Sequence, residues 1–261
     1  MSLEKRDDYF EPKKGSFYSI MGLVTFSTIL PIKIYTTIED MAKMTWFWPF
    51  INAFIGLFGV IFTYILYNML NLPVFLVASL LYGFFIIING CHHLDGLLDL
   101  SDAIMFQGSA EDKLKIMRDP ITGTGAITSL FIVGISTIAC YYTIINENLL
   151  WLILISEMSA KIGLLTCCIS SKSGPEGLGK PFIEYLTLPQ YIISIIICLI
   201  ISFILSPTHG IYGVIGGILG GGIISLIVKK QMKTANGDAL GASNEIGRLF
   251  SLLLIIISIV N

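Results

Sequence analysis

Long uninterrupted apolar segments constrain this chain more than any other feature of its sequence. Residues 44–70 and 210–228 each exceed the ~18 residues that mark a candidate transmembrane helix. Hydrocarbon offers no partner to backbone N–H and C=O groups, so each such segment must be helical. The runs also lack the alternation that a transmembrane β-barrel requires. The sequence therefore predicts an all-α fold, a polytopic membrane helical bundle.

The composition of the chain agrees with this fold class. Hydrophobic residues make up 54% of the sequence and charged residues 13%, whereas a soluble domain is typically about 25% charged. The formal net charge is -2, and the chain has no basic stripe, so we expect no nucleic-acid partner. The five cysteines lie in or beside apolar runs without a C-x-x-C pair, which is typical of buried apolar side chains rather than of disulfides or zinc ligands.

We predict about seven transmembrane helices. They cover residues 44–70, 72–91, 126–145, 149–169, 191–205, 210–228 and 244–260. The apolar segment 17–30 is shorter, so we expect it to form an interfacial or re-entrant helix. Residues 1–43 would then be a cytoplasmic N-terminal segment. Residues 44–261 would form a transmembrane catalytic domain with active-site loops at 92–125, 170–189 and 229–245.

Lysine and arginine residues predict the orientation in the membrane. If seven spans alternate, most of these residues fall on one face, and the connections near residues 71, 146–148 and 207–209 contain none. The positive-inside rule assigns the charged face to the cytoplasm. We therefore expect a multi-pass protein of the cell membrane whose active-site face is cytoplasmic.

The segment 92–102 contains the clearest chemical signal. If the second span continues as a helix, Asp95, Asp99 and Asp102 recur at i, i+4 and i+7 and share one face. Their mutual repulsion would be relieved by a divalent cation, and carboxylate oxygens favour Mg²⁺ or Mn²⁺. Either two metals bind along the stripe or one carboxylate has another role. A solvated acidic helix end is the competing interpretation.

Two histidines precede these aspartates. His92 lies near the same face of an ideal helix, whereas His93 points away from it. Beside three carboxylates, either one is a candidate acid, base or phosphate partner.

Two glycine-rich loops lie on the same predicted face. Residues 174–180 have the G-x-x-x-x-G-K spacing of a phosphate loop, but Pro181 stands where a Ser or Thr would hold Mg²⁺. A membrane helix also precedes the loop, so we exclude a nucleotide hydrolase and retain a flexible substrate loop. Residues 236–242 add Asp238 and lead into Glu245.

Residues 109–117 predict a short surface helix that begins at a Ser109 cap, with Leu114 and Met117 facing the bilayer. Arg118 follows it. The planar guanidinium binds two oxygens at once, so Arg118 is a candidate phosphate clamp. Snorkelling of Arg118 to the membrane interface is the alternative.

Four ionisable residues fall within or at the entrance of predicted spans: Glu157, Lys161, Glu245 and Arg248. Such groups are costly in a membrane and usually line a polar cavity. A buried ion pair, or snorkelling to the interface, is the alternative for each.

Taken in order, these motifs resemble those of the cobalamin synthase family. The residues that carry the resemblance are His93, Asp95, Gly96, Asp99 and Asp102, then residues 116–119 with Gly123 and Thr124, then 176–179, then 237–242 with Glu245. The resemblance extends over nearly the whole chain from residue 30 onward. Three positions depart from the family pattern, because Ile29, Ala103 and Lys161 stand where the family commonly has Arg, Gly and Arg.

The resemblance implies an integral-membrane transferase in the last steps of cobalamin biosynthesis. Its substrates would be adenosylcobinamide-GDP and α-ribazole or α-ribazole 5′-phosphate, and its products adenosylcobalamin, or the 5′-phosphate, and GMP. The cofactor implied is Mg²⁺, with Mn²⁺ as the alternative. The remaining partner is the lipid bilayer, and association into a homo-oligomer is left open.

The resemblance and the chemistry together give the candidate site residues. Asp95, Asp99 and Asp102 are the expected metal ligands. The candidate catalytic residues are His93, Asp95, Asp99, Asp102, Asp238 and Glu245, with Asp238 or Glu245 orienting the ribazole hydroxyl. The candidate substrate-binding residues are His92, Arg118, Lys161, Glu176, Gly177, Gly179 and Gly237, with Arg118 and Lys161 clamping phosphate oxygens.

Two other functions are weighed. A CDP-alcohol phosphotransferase of lipid synthesis has a similar acidic motif, but the Ala-Arg that normally follows its Asp-Gly is absent here. An ion-coupled secondary transporter would show inverted repeats and broken helices at the midplane. The acids of this chain cluster at one face instead, which favours the transferase.

Overall fold

A computed structural model describes residues 12–32 and 34–261. This part of the chain is helical and contains no strands, which confirms the predicted all-α membrane bundle. The helices are α1 Ser16–Ser27, α2 Ile38–Ala42, α3 Trp48–Tyr64, α4 Val74–Ile88, α5 His92–Met105, α6 Ala110–Ile116, α7 Thr124–Asn146, α8 Trp151–Ser170, α9 Lys180–Tyr185, α10 Leu188–Leu205, α11 Gly210–Gln231 and α12 Gly237–Val260. A 3₁₀ turn, Thr45–Phe47, precedes α3, and a π-helical turn, Ile65–Met69, follows it.

Six helical segments of the described chain are long and apolar enough to cross a membrane. They are α3 with its flanking turns, α7, α8, α10, α11 and α12. A seventh crossing is counted if α4 and α5, which are bent by 92° at a short break, form one span. The molecule is therefore a multi-pass membrane protein. α1, with 12 residues, is a shorter apolar helix, and its place at the interface stays a prediction.

The second predicted span does not continue into the acidic segment as one straight helix. α4 ends at Ile88, and Gly90 and Cys91 then adopt left-handed φ angles of 61° and 62°. Glycine adopts this conformation without steric cost and commonly ends helices, while Cys91 is a non-glycine residue held in it. α5 thus starts afresh at His92 and turns away from α4 by 92°. The acidic stripe therefore lies on a separate helix that follows this bend.

The last span begins earlier than predicted, at Gly237 instead of residue 244. Asn236 is its N-cap, because its side-chain Oδ1 accepts a hydrogen bond from the Ala239 N–H at 3.0 Å. The acidic segment 237–245 is therefore the first part of α12, and only residues 232–236 form the loop between α11 and α12.

α8 is the central helix of the bundle, and all of its residues from 152 to 168 are buried inside the protein. It packs against α3, α11 and α12. A Cβ atom on Gly221 of α11 would collide with the backbone of Gly163 in α8, and one on Gly163 would lie 2.9 Å from the backbone oxygen of Gly217 in α11. Gly213, Gly217 and Gly221 are spaced four residues apart in the sequence, a spacing that permits close approach of helices, and in the structure they serve this packing.

α6 follows its predicted cap. The Asp112 N–H donates to Ser109 Oγ at 3.2 Å, and Asp112 Oδ2 accepts from the Ser109 N–H at 3.2 Å, which makes a capping box. The prediction that Leu114 and Met117 face the bilayer is wrong. Met117 is buried in the core and Leu114 packs against that core, because α6 lies on the helical bundle.

Candidate active site

Two glycines bring the acidic helices α5 and α12 together. A Cβ atom on Gly96 of α5 would lie 2.7 Å from the backbone oxygen of Asp238, and one on Gly241 of α12 would lie 3.1 Å from the backbone oxygen of His92. The distance at Gly96 is too short for a side chain and the distance at Gly241 is tight, so the close crossing requires glycine at 96 and favours it at 241. The first turn of α5, with Asp95, therefore lies beside the first turn of α12, with Asp238.

The glycine-rich loop after α8 completes this junction. The Gly174 N–H donates to the Ala235 carbonyl oxygen at 2.9 Å and ties the loop to the segment before α12. A Cβ atom on Gly179 would lie 2.6 Å from the Gly237 backbone nitrogen. Two segments that the sequence marks separately, 174–180 and 236–242, are thus packed directly on one another.

A cavity of about 600 Å³ opens between these elements. This volume lies within the range of small-molecule sites, about 300–1,000 Å³. Its polar lining consists of Ser27, His92, His93, Asp95, Arg118, Glu176, Asn236 and Asp238. Its apolar lining includes Phe26, Trp48, Leu164, Leu178, Phe182 and Leu240, and its glycines are Gly177, Gly179, Gly237 and Gly241. Most of the predicted site residues therefore share one cavity.

A second, smaller cavity of about 230 Å³ continues along α5. Its lining includes Asp99, Asp102 and Thr122, and it shares Asp95 and Arg118 with the larger cavity. One carboxylate and one guanidinium therefore stand at the junction of the two cavities. The acidic stripe and the larger cavity form a single site.

The carboxylates of this site repel one another. Burial, together with the negative charges of Asp95, Asp238 and Asp102, raises the pKa of Asp99 to about 6. A positive charge placed among these groups would relieve the repulsion. The donor set consists of oxygen atoms, which matches Mg²⁺ and Mn²⁺.

The positions of these side chains determine how many of them could bind one metal ion. Within residues 12–32 and 34–261, no three His, Cys, Asp or Glu side chains converge as a metal-binding group. Mg²⁺ usually takes only one or two protein carboxylates, with water and substrate phosphates completing its coordination. Asp95 and Asp99, one helical turn apart on α5, fit that smaller requirement.

Asp102, the third predicted metal ligand, makes different contacts. Its Oδ2 accepts from the Gly123 N–H at 2.6 Å, and its Oδ1 accepts from the Ala126 N–H at 2.8 Å. Both oxygens are thus directed at the first turn of α7.

The two histidines differ in burial. His92 is exposed at the cavity, whereas His93 is buried and its Nε2 is hydrogen-bonded to Lys161 Nζ. Lys161 itself is fully buried, with Nζ 5.1 Å from the centroid of the Trp48 ring. The predicted phosphate clamp Lys161 thus lies behind the cavity wall, in contact with two residues that form it. An i, i+3 or i+4 pattern could not reveal this contact, since the three residues lie on different helices.

Glu245 does not line either cavity. Arg248 Nη1 donates to Glu245 Oε2, and Arg248 also binds both oxygens of Glu157, at 2.5 Å and 3.1 Å. The Tyr82 hydroxyl donates to Glu245 at 3.3 Å, and the Tyr141 hydroxyl donates to Glu157 at 3.0 Å. These residues form a buried ion-pair network in the bundle interior, which is the alternative interpretation of charged residues within the spans.

Several residues at the cavity are not among those that the sequence motifs predict. Asn236 Nδ2 donates to Asp238 Oδ2 at 2.8 Å, so the N-cap of α12 also holds the candidate catalytic carboxylate. Its position before Gly-Asp at the start of an apolar run was a usable signal. Trp48, Phe182 and Phe26 form an aromatic cluster, with ring centroids 5.0 Å apart for Trp48 and Phe182. No motif marks these rings, because they come from separate parts of the chain.

The family described as cobalamin-5-phosphate synthase matches residues 19–256 of the chain. An adenosylcobinamide-GDP ribazoletransferase of Methanococcoides burtonii is 30% identical, with 85% of each chain covered. A protein of the same name from Clostridium perfringens (strain SM101 / Type A) is 31% identical over 86% of this chain and 92% of its own. One from Pyrococcus furiosus is 31% identical over 90% and 97%. No solved structure matches the chain.

Proposed function

Because the chain belongs to the cobalamin-5-phosphate synthase family, we propose that it joins adenosylcobinamide-GDP to α-ribazole or α-ribazole 5′-phosphate. The products would be adenosylcobalamin, or its 5′-phosphate, and GMP. The observation that carries the proposal is the shared cavity, in which Asp95, Asp238 and Arg118 come together from three distant parts of the sequence. The relatives described above are named for this reaction, and this chain matches most of the length of each.

The reaction makes one phosphorus–oxygen bond and breaks another. The ribazole hydroxyl oxygen attacks the phosphorus attached to cobinamide, and the bond from that phosphorus to the GMP phosphate oxygen breaks. The hydroxyl proton must leave, and negative charge develops on the departing GMP. Phosphoryl transfer of this kind depends mainly on positioning and on charge stabilisation.

Each charged group at the cavity has a part in this scheme. Asp95 and Asp99 would hold Mg²⁺, or Mn²⁺, and the bound ion would neutralise charge on the diphosphate oxygens. Arg118 binds non-bridging phosphate oxygens through its planar guanidinium. Asp238, held by Asn236, accepts the hydrogen bond of the attacking hydroxyl and takes its proton.

The remaining predicted residues support these groups. The backbone of the loop with Glu176, Gly177 and Gly179 borders the cavity beside Gly237, and we assign it to nucleotide contacts. His92 faces the same space. Lys161 holds His93 in the wall, and Glu245 stabilises the bundle through Arg248.

We place the cavity on the cytoplasmic side of the cell membrane. The loop regions that border it, 92–125, 170–189 and 229–245, contain eight of the chain's sixteen lysines and arginines, whereas the connections near residues 71, 146–148 and 207–209 contain none, as the positive-inside rule expects of opposite faces. GMP and the nucleotide-activated substrate are soluble, so a site at the membrane surface exchanges them with water.

The test is a product assay with the full chain purified in detergent or nanodiscs. Adenosylcobinamide-GDP, α-ribazole and MgCl₂ are added, and products are identified by mass. We expect adenosylcobalamin and GMP in a one-to-one ratio. A parallel reaction with CDP-diacylglycerol and an alcohol acceptor separates the lipid-synthesis alternative. Phospholipid formation without adenosylcobalamin would overturn the proposal, and so would the absence of both products.

A further inference from the structure

The side-chain carboxylate of Asp102 packs against the start of α7, beside two glycines. Its two oxygens accept hydrogen bonds from the N–H groups of Gly123 and Ala126, which lie at the start of α7. A Cβ atom on Gly123 would lie 2.6 Å from Asp102 Oδ1, and one on Gly125 would lie 3.0 Å from it. The two glycines therefore admit the carboxylate to a helix N-terminus, where negative charge is favoured.

This contact fixes the segment that carries Arg118. Met117, immediately before Arg118, is buried in the core. Asp119 Oδ1 accepts from the Ile121 N–H at 3.0 Å and shapes the turn. The segment ends at Gly123, whose N–H donates a hydrogen bond to Asp102. Asp102 lies on α5, the same helix as Asp95.

The consequence lies at the junction of the two cavities. Asp95 and Arg118 line both cavities, and they come from α5 and from the segment that Asp102 anchors to α5. Loss of the anchor would free the Arg118 segment relative to Asp95. The carboxylate oxygens of Asp102 already accept from backbone donors, whereas the side-chain carboxylates of Asp95 and Asp99 accept no hydrogen bond from the residues that the structure describes.

We propose that Asp102 is a positioning residue that caps α7 and holds Arg118 against Asp95, and that it is not a metal ligand. The proposal rests on the proposed function for its kinetic consequence. Its structural part, the choice between capping and metal binding, does not depend on which substrates are joined.

Metal binding separates the two roles without any substrate. Binding of Mn²⁺ to the purified full chain is measured by electron paramagnetic resonance for wild type, Asp102→Asn and Asp99→Asn. We expect Asp102→Asn to stay within about two-fold of wild type and Asp99→Asn to bind about 10-fold more weakly or worse. Equal weakening in both variants would overturn the proposal.

Hydrogen exchange reads the cap directly. In wild type the amides of Gly123 and Ala126 are protected by the Asp102 oxygens. Asp102→Asn keeps one acceptor oxygen and loses the other, so a peptide covering residues 118–126 should exchange faster. Unchanged exchange in this peptide would contradict the capping role.

Kinetics then test the link to Arg118. We expect Asp102→Asn to raise the KM for adenosylcobinamide-GDP about 10-fold with a smaller change in kcat, since a displaced clamp weakens binding. Combining it with Arg118→Gln should add little to the effect of Arg118→Gln alone. Independent, multiplying losses in the double variant would overturn the positioning role, as would an unchanged KM.

Two further variants guard against loss of folding. Gly123→Ala leaves Asp102 in place and introduces the Cβ atom that meets its Oδ1, so it should raise KM in the same way even if Asp102→Asn fails to fold. Asp112→Asn is the matched control, because Asp112 also caps a helix, α6, and lies outside both cavities. It should leave Mn²⁺ binding and KM unchanged. If wild type forms no product, the proposed function fails, and the Mn²⁺ and exchange measurements still decide the role of Asp102.

Discussion

Two clusters of charged side chains in this protein each combine carboxylates with an arginine, and they have opposite surroundings. In the bundle interior, Arg248 binds Glu157 and Glu245, and all three side chains are nearly inaccessible to solvent. At the cavity, Asp95 and Arg118 are exposed to the space where two pockets meet. The first cluster is paired within the protein, while the second leaves its charge available to a ligand.

The difference shows that residue type and membrane location do not identify a functional charge by themselves. Burying a charge costs several kcal/mol unless it is paired, so the charged groups of an interior cluster must form ion pairs with one another. A substrate site needs charges whose partners arrive with the ligand. Pairing and exposure, which depend on contacts between distant helices, therefore decide which cluster does chemistry.

The largest expected effect comes from breaking the interior cluster. Arg248→Met would leave Glu157 and Glu245 buried without their cation, which costs about 3–5 kcal/mol. Thermal unfolding and size-exclusion elution of the purified protein are the measurements. We expect a large fall in folded yield before any kinetic change. A control that also carries Glu157→Gln and Glu245→Gln should recover much of the stability, because no unpaired carboxylate remains. Normal stability in Arg248→Met would mean that the two glutamates are not charged in the native state.

The next effect comes from the cavity cluster. Asp99→Asn removes a carboxylate from the acidic stripe, and we expect turnover to fall about 100-fold or more with unchanged elution and thermal unfolding. Relief of like-charge repulsion should leave the fold as stable as wild type, or more stable. Product formation at saturating Mg²⁺ is the measurement, with Asp112→Asn as control. Wild-type turnover in Asp99→Asn would remove this residue from the metal assignment.

Much of the fold was predictable because it follows from solvent. Apolar runs of membrane length specify helices, and glycine spacing in α11 specifies close packing. The cobalamin synthase resemblance was likewise confirmed by the family match. The sequence left open whether the helix continues past residue 91, and it did not predict the exact position of the break at Gly90 and Cys91, since an apolar run followed by an acidic one is compatible with a continuous helix.

The site was predictable as a set of segments and not as a set of contacts. Asp95, Arg118 and Asp238 were selected from local motifs, and the structure brings all three to one cavity. Glu245 and Lys161 were selected in the same way, but one is paired with Arg248 and the other lies on His93 behind the wall. Whether a side chain faces the cavity depends on helix crossings, such as that at Gly96 and Gly241, which single-chain spacing does not encode.

A paired substitution on α12 sharpens the comparison along a single helix. Glu245→Gln removes one charge from the interior cluster and should lower stability by about 1–3 kcal/mol while retaining most of the turnover per folded molecule. Asp238→Asn, two turns away at the cavity, should lower turnover and leave thermal stability unchanged. Thermal unfolding and turnover are measured on both variants. If Glu245→Gln lost turnover without losing stability, the original catalytic prediction for Glu245 would stand and the division between the clusters would fail.

The smallest effect belongs to Asn236, which links the fold of α12 to its chemistry. Asn236→Ala removes both the cap on the Ala239 N–H and the hydrogen bond to Asp238, and loss of an N-cap costs about 1 kcal/mol. Asn236→Gly also lacks the side chain that donates to Asp238, but glycine at an N-cap costs only a few tenths of a kcal/mol relative to asparagine, so this variant separates the two roles. We expect Asn236→Gly to restore most of the thermal stability and to retain the reduced turnover of Asn236→Ala, since Asp238 lacks its hydrogen bond in both. Full recovery of turnover in Asn236→Gly would show that Asn236 acts on α12 alone.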